Sequence, residues 1–300
     1  MESDQRSVDK RFVLVAAWLV VLLISDLPDV LWENLGGGAP DWLWWGKTGV
    51  LAVALAVCLL WKALRPLWQF AFVFLVFYLA IAARNAAWNS SFMQTRFNGE
   101  EATFASGYLG FHLLDLMAAL VVIAAMWLVK RRRSEFFLVK GDTSAPIEPV
   151  RWLGIGKGET WRTFGWIFTV CAAIGVSIPI FLAVPVTSEG LQRLLPLIPV
   201  VLLLAAVNAF AEEMYYRASM LSTLKDVLGK NHVLLLSVVF FGMAHYLYGS
   251  PPGIPGFLLT GFLAFLMGKS MLETRGLLWP WVIHFVPDVV VFASYVLALN

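Results

Sequence analysis

Two cysteines in 300 residues leave little room for thiol chemistry. Cys58 and Cys171 both fall inside apolar runs, so neither a disulfide framework nor a thiolate zinc site is readable. Charge is scarce too: Asp, Glu, Lys and Arg make up 14% of the chain against 60% hydrophobic residues, and the mean hydropathy is +0.76. A soluble globular domain carries about 25% charged residues, so this composition points to lipid. A formal net charge of +2 gives no support for nucleic-acid binding. There is no zincin-type His-Glu-x-x-His helix and no Gly-x-Ser-x-Gly elbow with a matching histidine. Arg151-Trp-Leu-Gly-Ile-Gly156 has close glycines, but no strand precedes them and the phosphate fingerprint is incomplete.

What the chain has is apolar length. Nine segments approach the roughly 20 residues needed to cross a bilayer. They run near Phe12 to Leu31, Trp44 to Trp61, Trp68 to Ala83, Gly107 to Val129, Phe164 to Val186, Leu194 to Arg217, His232 to Tyr248, Gly256 to Met271 and Leu277 to Leu297. The expected fold is an all-α polytopic membrane protein with about nine transmembrane helices and a catalytic bundle in its C-terminal half. The polar stretch holding Lys130-Arg-Arg-Arg133, Pro146 and Pro149 divides residues 1–133, a four-helix membrane region, from residues 164–300, a five-helix catalytic region. Residues 134–163 form a cytoplasmic linker between them. With the N-terminus in the cytoplasm of a multi-pass cell-membrane protein, seventeen basic residues fall inside and four outside, which puts the C-terminus outside. The basic residues before the first apolar run lack a small-residue cleavage site after it, so that run reads as a retained helix. Trp42, Trp44, Trp45, Trp161, Trp166 and Trp279 to Trp281 cluster near helix ends and read as interface anchors.

Ionisable residues inside such spans are costly, about 2.5–3.5 kcal/mol each at the bilayer centre, and mark functional sites. Asn208-Ala-Phe-Ala-Glu212-Glu213-Met-Tyr-Tyr-Arg217 ends the sixth span. On a regular α-helix Glu213 and Arg217 share a face and can pair, while Glu212 projects about 100° away beside Asn208 and is free to act as a base. The seventh span carries Phe241-Gly-Met-Ala-His245, and the ninth His284-Phe-Val-Pro-Asp288. Counting about 1.5 Å per residue, Glu212 and His284 lie about 14 Å deep and His245 and Asp288 about 20 Å, within one slab of the membrane. His112, Asp115 and Arg84 read as an internal pairing. A glutamate and a histidine activating water, with or without a metal, is the chemistry that remains.

Glu212-Glu213-x-x-x-Arg217, Phe241-x-x-x-His245 and His284-x-x-x-Asp288 resemble, in order and on separate helices, the three motifs of the CPBP family, the CAAX-processing and bacteriocin-processing intramembrane proteases. The resemblance covers Leu194 to Leu297. It implies that Glu212 and His245 activate the attacking water, that His284 with residue 288 stabilises the oxyanion, and that Glu213, Arg217, Asn208 and Phe241 support the site. Two departures stand out: Ala218 replaces a frequent glycine, and Asp288 closes the last motif, where an ionised carboxylate could orient His284 or ligate a metal but not stabilise an oxyanion. Glu212, His245 and His284 are zinc-type donors, and helical spacing alone leaves a metal open. The implied partners are the lipid bilayer and a peptide or membrane-protein substrate, prenylated if CAAX-type. The competing reading is a non-catalytic membrane protein, either a bacteriocin-immunity or peptide-binding protein or an ion or proton carrier.

Overall fold

A computed structural model describes residues 2–129, 132–249 and 251–299, with side chains from residue 10 onward. Lys130 and Arg131 of the four-residue basic run lie outside the described residues. The fold is all-helical: α1 (Glu2–Ile24), α2 (Leu27–Asn34), α3 (Trp42–Leu60), α4 (Trp68–Trp88), α5 (Ser91–Phe97), α6 (Phe104–Leu128), α7 (Trp161–Ala183), α8 (Ser188–Glu212), α9 (Ser219–Leu228), α10 (Lys230–Tyr248), α11 (Ile254–Thr274) and α12 (Leu278–Leu297). Among the described residues eight helical stretches are long and apolar enough to cross a membrane, or nine if the bent pair α1–α2 is one span, so the chain is a multi-pass membrane protein.

The first span differs from the single helix expected. It bends by 53° between Ile24 and Leu27. Ser25 turns its hydroxyl back to the Leu22 carbonyl at 2.8 Å, and Pro28 lacks the N–H that would continue the ladder. The bend aims Asp26 and Asp29 at Lys47, which is 3% exposed and bonds Asp26 at 2.8 Å. Lys47 counts as an outer loop cation in the sequence, yet here it is buried and neutralised.

The chain forms two compact units that interleave along the sequence. One holds residues 1–79, 122–136 and 215–268, the other residues 80–121, 137–214 and 269–300. In the second unit α8 and α12 pack antiparallel. Val201, Leu204 and Ala205 on α8 bury against Phe292 and Val296 on α12, four-residue spacings that lay one apolar stripe on another. In lipid this contact is held by close packing rather than by the hydrophobic effect. The stripes continue into polar residues in the same register, so that Asn208 meets Asp288 and Glu212 meets His284.

Residues 137–160 are not a loose tether. The Leu277 N–H donates to the Val139 carbonyl at 2.8 Å, the Asp142 N–H to the Thr274 carbonyl at 2.8 Å, and the Trp279 indole to the Thr143 carbonyl at 3.0 Å. Trp161 and Trp279, expected as interface anchors, are therefore buried donors, Trp161 bonding Glu273 at 2.8 Å. An indole has one apolar body and one donor, so it serves either setting. Trp42, Trp45 and Trp166 stay exposed. Gly141, at φ +79°, lies against the α11–α12 joint, where an added Cβ would sit 2.6 Å from the Thr274 carbonyl oxygen and 2.7 Å from Gly276 Cα. Gly141→Ala should destabilise the protein by about 1–3 kcal/mol, read as a lowered thermal midpoint, because the neighbouring atoms are backbone and cannot step aside.

Candidate active site

The helix carrying the paired glutamates changes form at the site. Between α8 and α9, Glu213–Ala218 is a π-helical turn. Such turns are rare and frequent at functional sites. The regular α-helical geometry assumed from the sequence therefore gives way at Glu213.

Around His284 the second unit gathers three carboxylates and one amide. His284 Nδ1 lies 2.9 Å from Glu213 Oε1; its Nε2 lies 3.5 Å from Glu212 Oε2 and 3.7 Å from Asp288 Oδ2. The first distance is a hydrogen bond, with the ring N–H donating to the carboxylate; the other two exceed bonding range but leave strong electrostatic coupling. Asn208 bridges the acids: its amide donates to Asp288 Oδ2 at 3.0 Å and lies 3.4 Å from Glu212 Oε1. Neither glutamate stands alone, contrary to the expectation of one paired and one free. Their surroundings still differ, since the Glu213 side chain is 0% exposed and that of Glu212 is 25% exposed. The Glu212 carboxylate is open at the protein surface and that of Glu213 is sealed.

α12 delivers His284 and Asp288 on one face, with Pro287 between them removing the N–H that the Ile283 carbonyl would otherwise accept. Trp281 fixes the helix, donating its indole N–H to the Ala206 carbonyl on α8 at 3.1 Å and stacking on Phe285 at 5.1 Å. Near a helix end, Trp281 reads from sequence alone as an interface anchor. Outside the motifs, Arg84 pairs with Asp115, and His112 donates from Nδ1 to the Tyr108 carbonyl at 2.8 Å. His112 also packs edge-on against Phe292, at 5.2 Å, one turn beyond Asp288.

The remaining motif residues lie in the first unit. Arg217 is 0% exposed, its guanidinium 4.2 Å from the centre of the Phe241 ring and its Nη2 3.3 Å from Met267 Sδ. A desolvated cation over an aromatic face gains about 2 kcal/mol. Phe241 in turn lies 4.4 Å, ring to ring, from His245, whose Nδ1 donates to the Phe241 carbonyl at 2.9 Å. The four-residue spacing of Phe241 and His245 thus has a physical meaning: the phenyl ring seats the arginine, and its carbonyl fixes the histidine tautomer. Since a carbonyl only accepts, the proton sits on Nδ1 and Nε2 of the neutral ring is the basic nitrogen.

This geometry occupies the part of the chain that matches a known family. Residues 194–290 match the model of the Rce1-like type II CAAX prenyl endopeptidases. All three motifs of the Rce1-like segment lie inside the match, and α1 to α7 lie before it. No curated protein and no solved structure matches the chain.

The sequence leaves a metal on Glu212, His245 and His284 open. Among the described residues no three His, Cys, Asp or Glu side chains are arranged to hold a metal ion. The two histidines bond through Nδ1, His284 to Glu213 and His245 to the Phe241 carbonyl, and Asp288 accepts from Asn208.

Proposed function

We propose that the chain is an intramembrane endopeptidase that cleaves a CAAX-type, prenylated peptide or membrane protein, with its N-terminus in the cytoplasm. The observation that carries this reading is His284, held by Glu213 with Glu212 and Asp288 at its second nitrogen, inside the Rce1-like segment. Glu212, the most exposed of the three acids, takes a proton from water as the oxygen attacks the scissile carbonyl carbon. His245 is the second water-activating group that the resemblance assigns. His284, protonated on both nitrogens, donates from Nδ1 to Glu213 and offers Nε2–H to the oxyanion. When the tetrahedral intermediate collapses, the C–N bond breaks and Glu212 returns its proton to the leaving amine, giving one carboxylic acid and one amine. Glu213, Asn208, Arg217 and Phe241 hold these groups in place.

Reconstituted protein incubated with a farnesylated CAAX peptide and with its unprenylated twin tests the reading: two fragments from the farnesylated peptide support it, and an intact peptide rejects it. Asp288 gives a finer check. Asn208 needs only an acceptor oxygen opposite it, and an amide at 288 keeps that oxygen while adding a donor. Asp288→Asn should hold hydrolysis within about tenfold of wild type, whereas Asp288→Ala, which orphans the Asn208 amide, should fall about tenfold further, as the roughly 1–3 kcal/mol cost of an unsatisfied buried donor implies. A collapse of activity in Asp288→Asn would show that the carboxylate charge itself is required.

A further inference from the structure

The stripes that join α8 to α12 have a third member. Phe104, Tyr108, His112 and Asp115 recur at spacings of four, four and three residues and so share one face of α6. Phe104 and Tyr108 pack against the cluster of Val201, Leu204, Ala205, Phe292 and Val296. The Tyr108 ring lies 5.8 Å from that of Tyr295 and 6.1 Å from that of Phe292, and the His112 ring lies 5.2 Å from Phe292. One turn along α6 thus moves the contact on α12 back from Tyr295 to Phe292, and Asp288 is the next residue of that stripe. The face of α6 turns from apolar to polar where α8 presents Asn208 and α12 presents Asp288.

His112 is 6% exposed. Of the three residues expected to pair internally, Asp115 bonds Arg84, whereas His112 donates from Nδ1 to the Tyr108 carbonyl at 2.8 Å and packs towards α12. A carbonyl only accepts, so this bond fixes one ring proton on Nδ1 and leaves Nε2 as the nitrogen that can take another. Asp288 lies within electrostatic reach of this imidazole. Its Oδ2 accepts from the Asn208 amide at 3.0 Å and lies 3.7 Å from His284 Nε2. Two imidazoles, one from α6 and one from α12, therefore act on one carboxylate, in a buried setting where charge acts more strongly than in water. This gives the aspartate that closes the third motif a purpose that an uncharged asparagine could not serve.

We propose that His112 is a positioning residue of the active site, holding the Asp288 carboxylate against Asn208 and His284 from a helix that lies before the Rce1-like segment. The role rests on the endopeptidase reading, since Asp288 affects the rate only through the groups it holds.

Rates on the farnesylated CAAX peptide are measured for His112→Phe, which keeps a flat ring against Phe292, and for His112→Asn, which keeps a donor for the Tyr108 carbonyl, each alone and combined with Asp288→Asn. Either single variant should lower kcat about fivefold with KM unchanged, within the range for coupled neighbours, and should cost nothing further once residue 288 is asparagine. Loss by the same factor on both backgrounds would mean packing alone and overturn the role, as would full activity in the single variants. A second readout needs neither hydrolysis nor a substitution at 112. The chain has four histidines, so histidine-selective ¹⁵N labelling gives few ring signals. Asp288→Asn should move those of His112 and leave those of His232, in the other unit, in place. Unmoved His112 signals would overturn the coupling. Moved signals in a protein that leaves the peptide intact would strike the endopeptidase reading, and the catalytic role with it, while the contact between His112 and Asp288 stands.

Discussion

Replacing Glu212 by glutamine should lower peptide hydrolysis by about 10²- to 10⁴-fold, the usual contribution of a positioned general base, with the thermal midpoint little changed. Glutamine keeps the length of the side chain and an oxygen opposite Asn208 Nδ2, which lies 3.4 Å from the Glu212 carboxylate. What it loses is the ability to accept a proton from water. Stability should survive because this side chain is 25% exposed and is not the acid that holds the imidazole. His245→Ala should show a loss of similar size, since it deletes a basic nitrogen whose tautomer the Phe241 carbonyl fixes. Rates on a cognate peptide, with melting curves on the same preparations, check both; undiminished cleavage in either variant would reject its assignment.

Glu213→Ala should act the other way, through stability. The Glu213 carboxylate is 0% exposed and accepts from His284 Nδ1 at 2.9 Å. Deleting it removes the Nδ1–H acceptor from a buried imidazole that faces Glu212 and Asp288. Breaking a buried charged pair by removing one partner costs about 3–5 kcal/mol, a large share of the stability of a whole domain. Glu213→Gln keeps an acceptor oxygen for Nδ1–H and should recover much of the loss. Thermal and denaturant unfolding of the two variants in the same lipid separates the outcomes: equal, wild-type stability in both would mean that Glu213 does not position His284.

The division between what the sequence disclosed and what it hid has physical causes. Long apolar runs announce spanning helices because lipid satisfies no backbone group, and the observed helices follow those runs. The meeting of Asn208 with Asp288 and Glu212 with His284 follows from four-residue spacings on two antiparallel helices. The π turn at Glu213–Ala218 left no such trace, since that segment contains neither proline nor glycine. The bend at Ser25 was masked by apolar residues on both sides, although Pro28 and the paired acids Asp26 and Asp29 could have marked it. Trp161, Trp279 and Trp281 read as anchors because an indole near a helix end looks the same in sequence whether its N–H meets water or a buried acceptor. Hydrogen bonds from residues 139–143 to the α11–α12 joint pair backbone groups more than 130 residues apart, and no local pattern encodes them.

Hydrolysis by the reconstituted protein in ¹⁸O-enriched water tests the central claim most directly. Water activated by Glu212 should place one heavy oxygen in the new carboxylate of the cleaved peptide, and Glu212→Gln should yield no labelled product. An intact peptide with the wild-type protein, or labelled product formed as quickly by Glu212→Gln, would contradict the account.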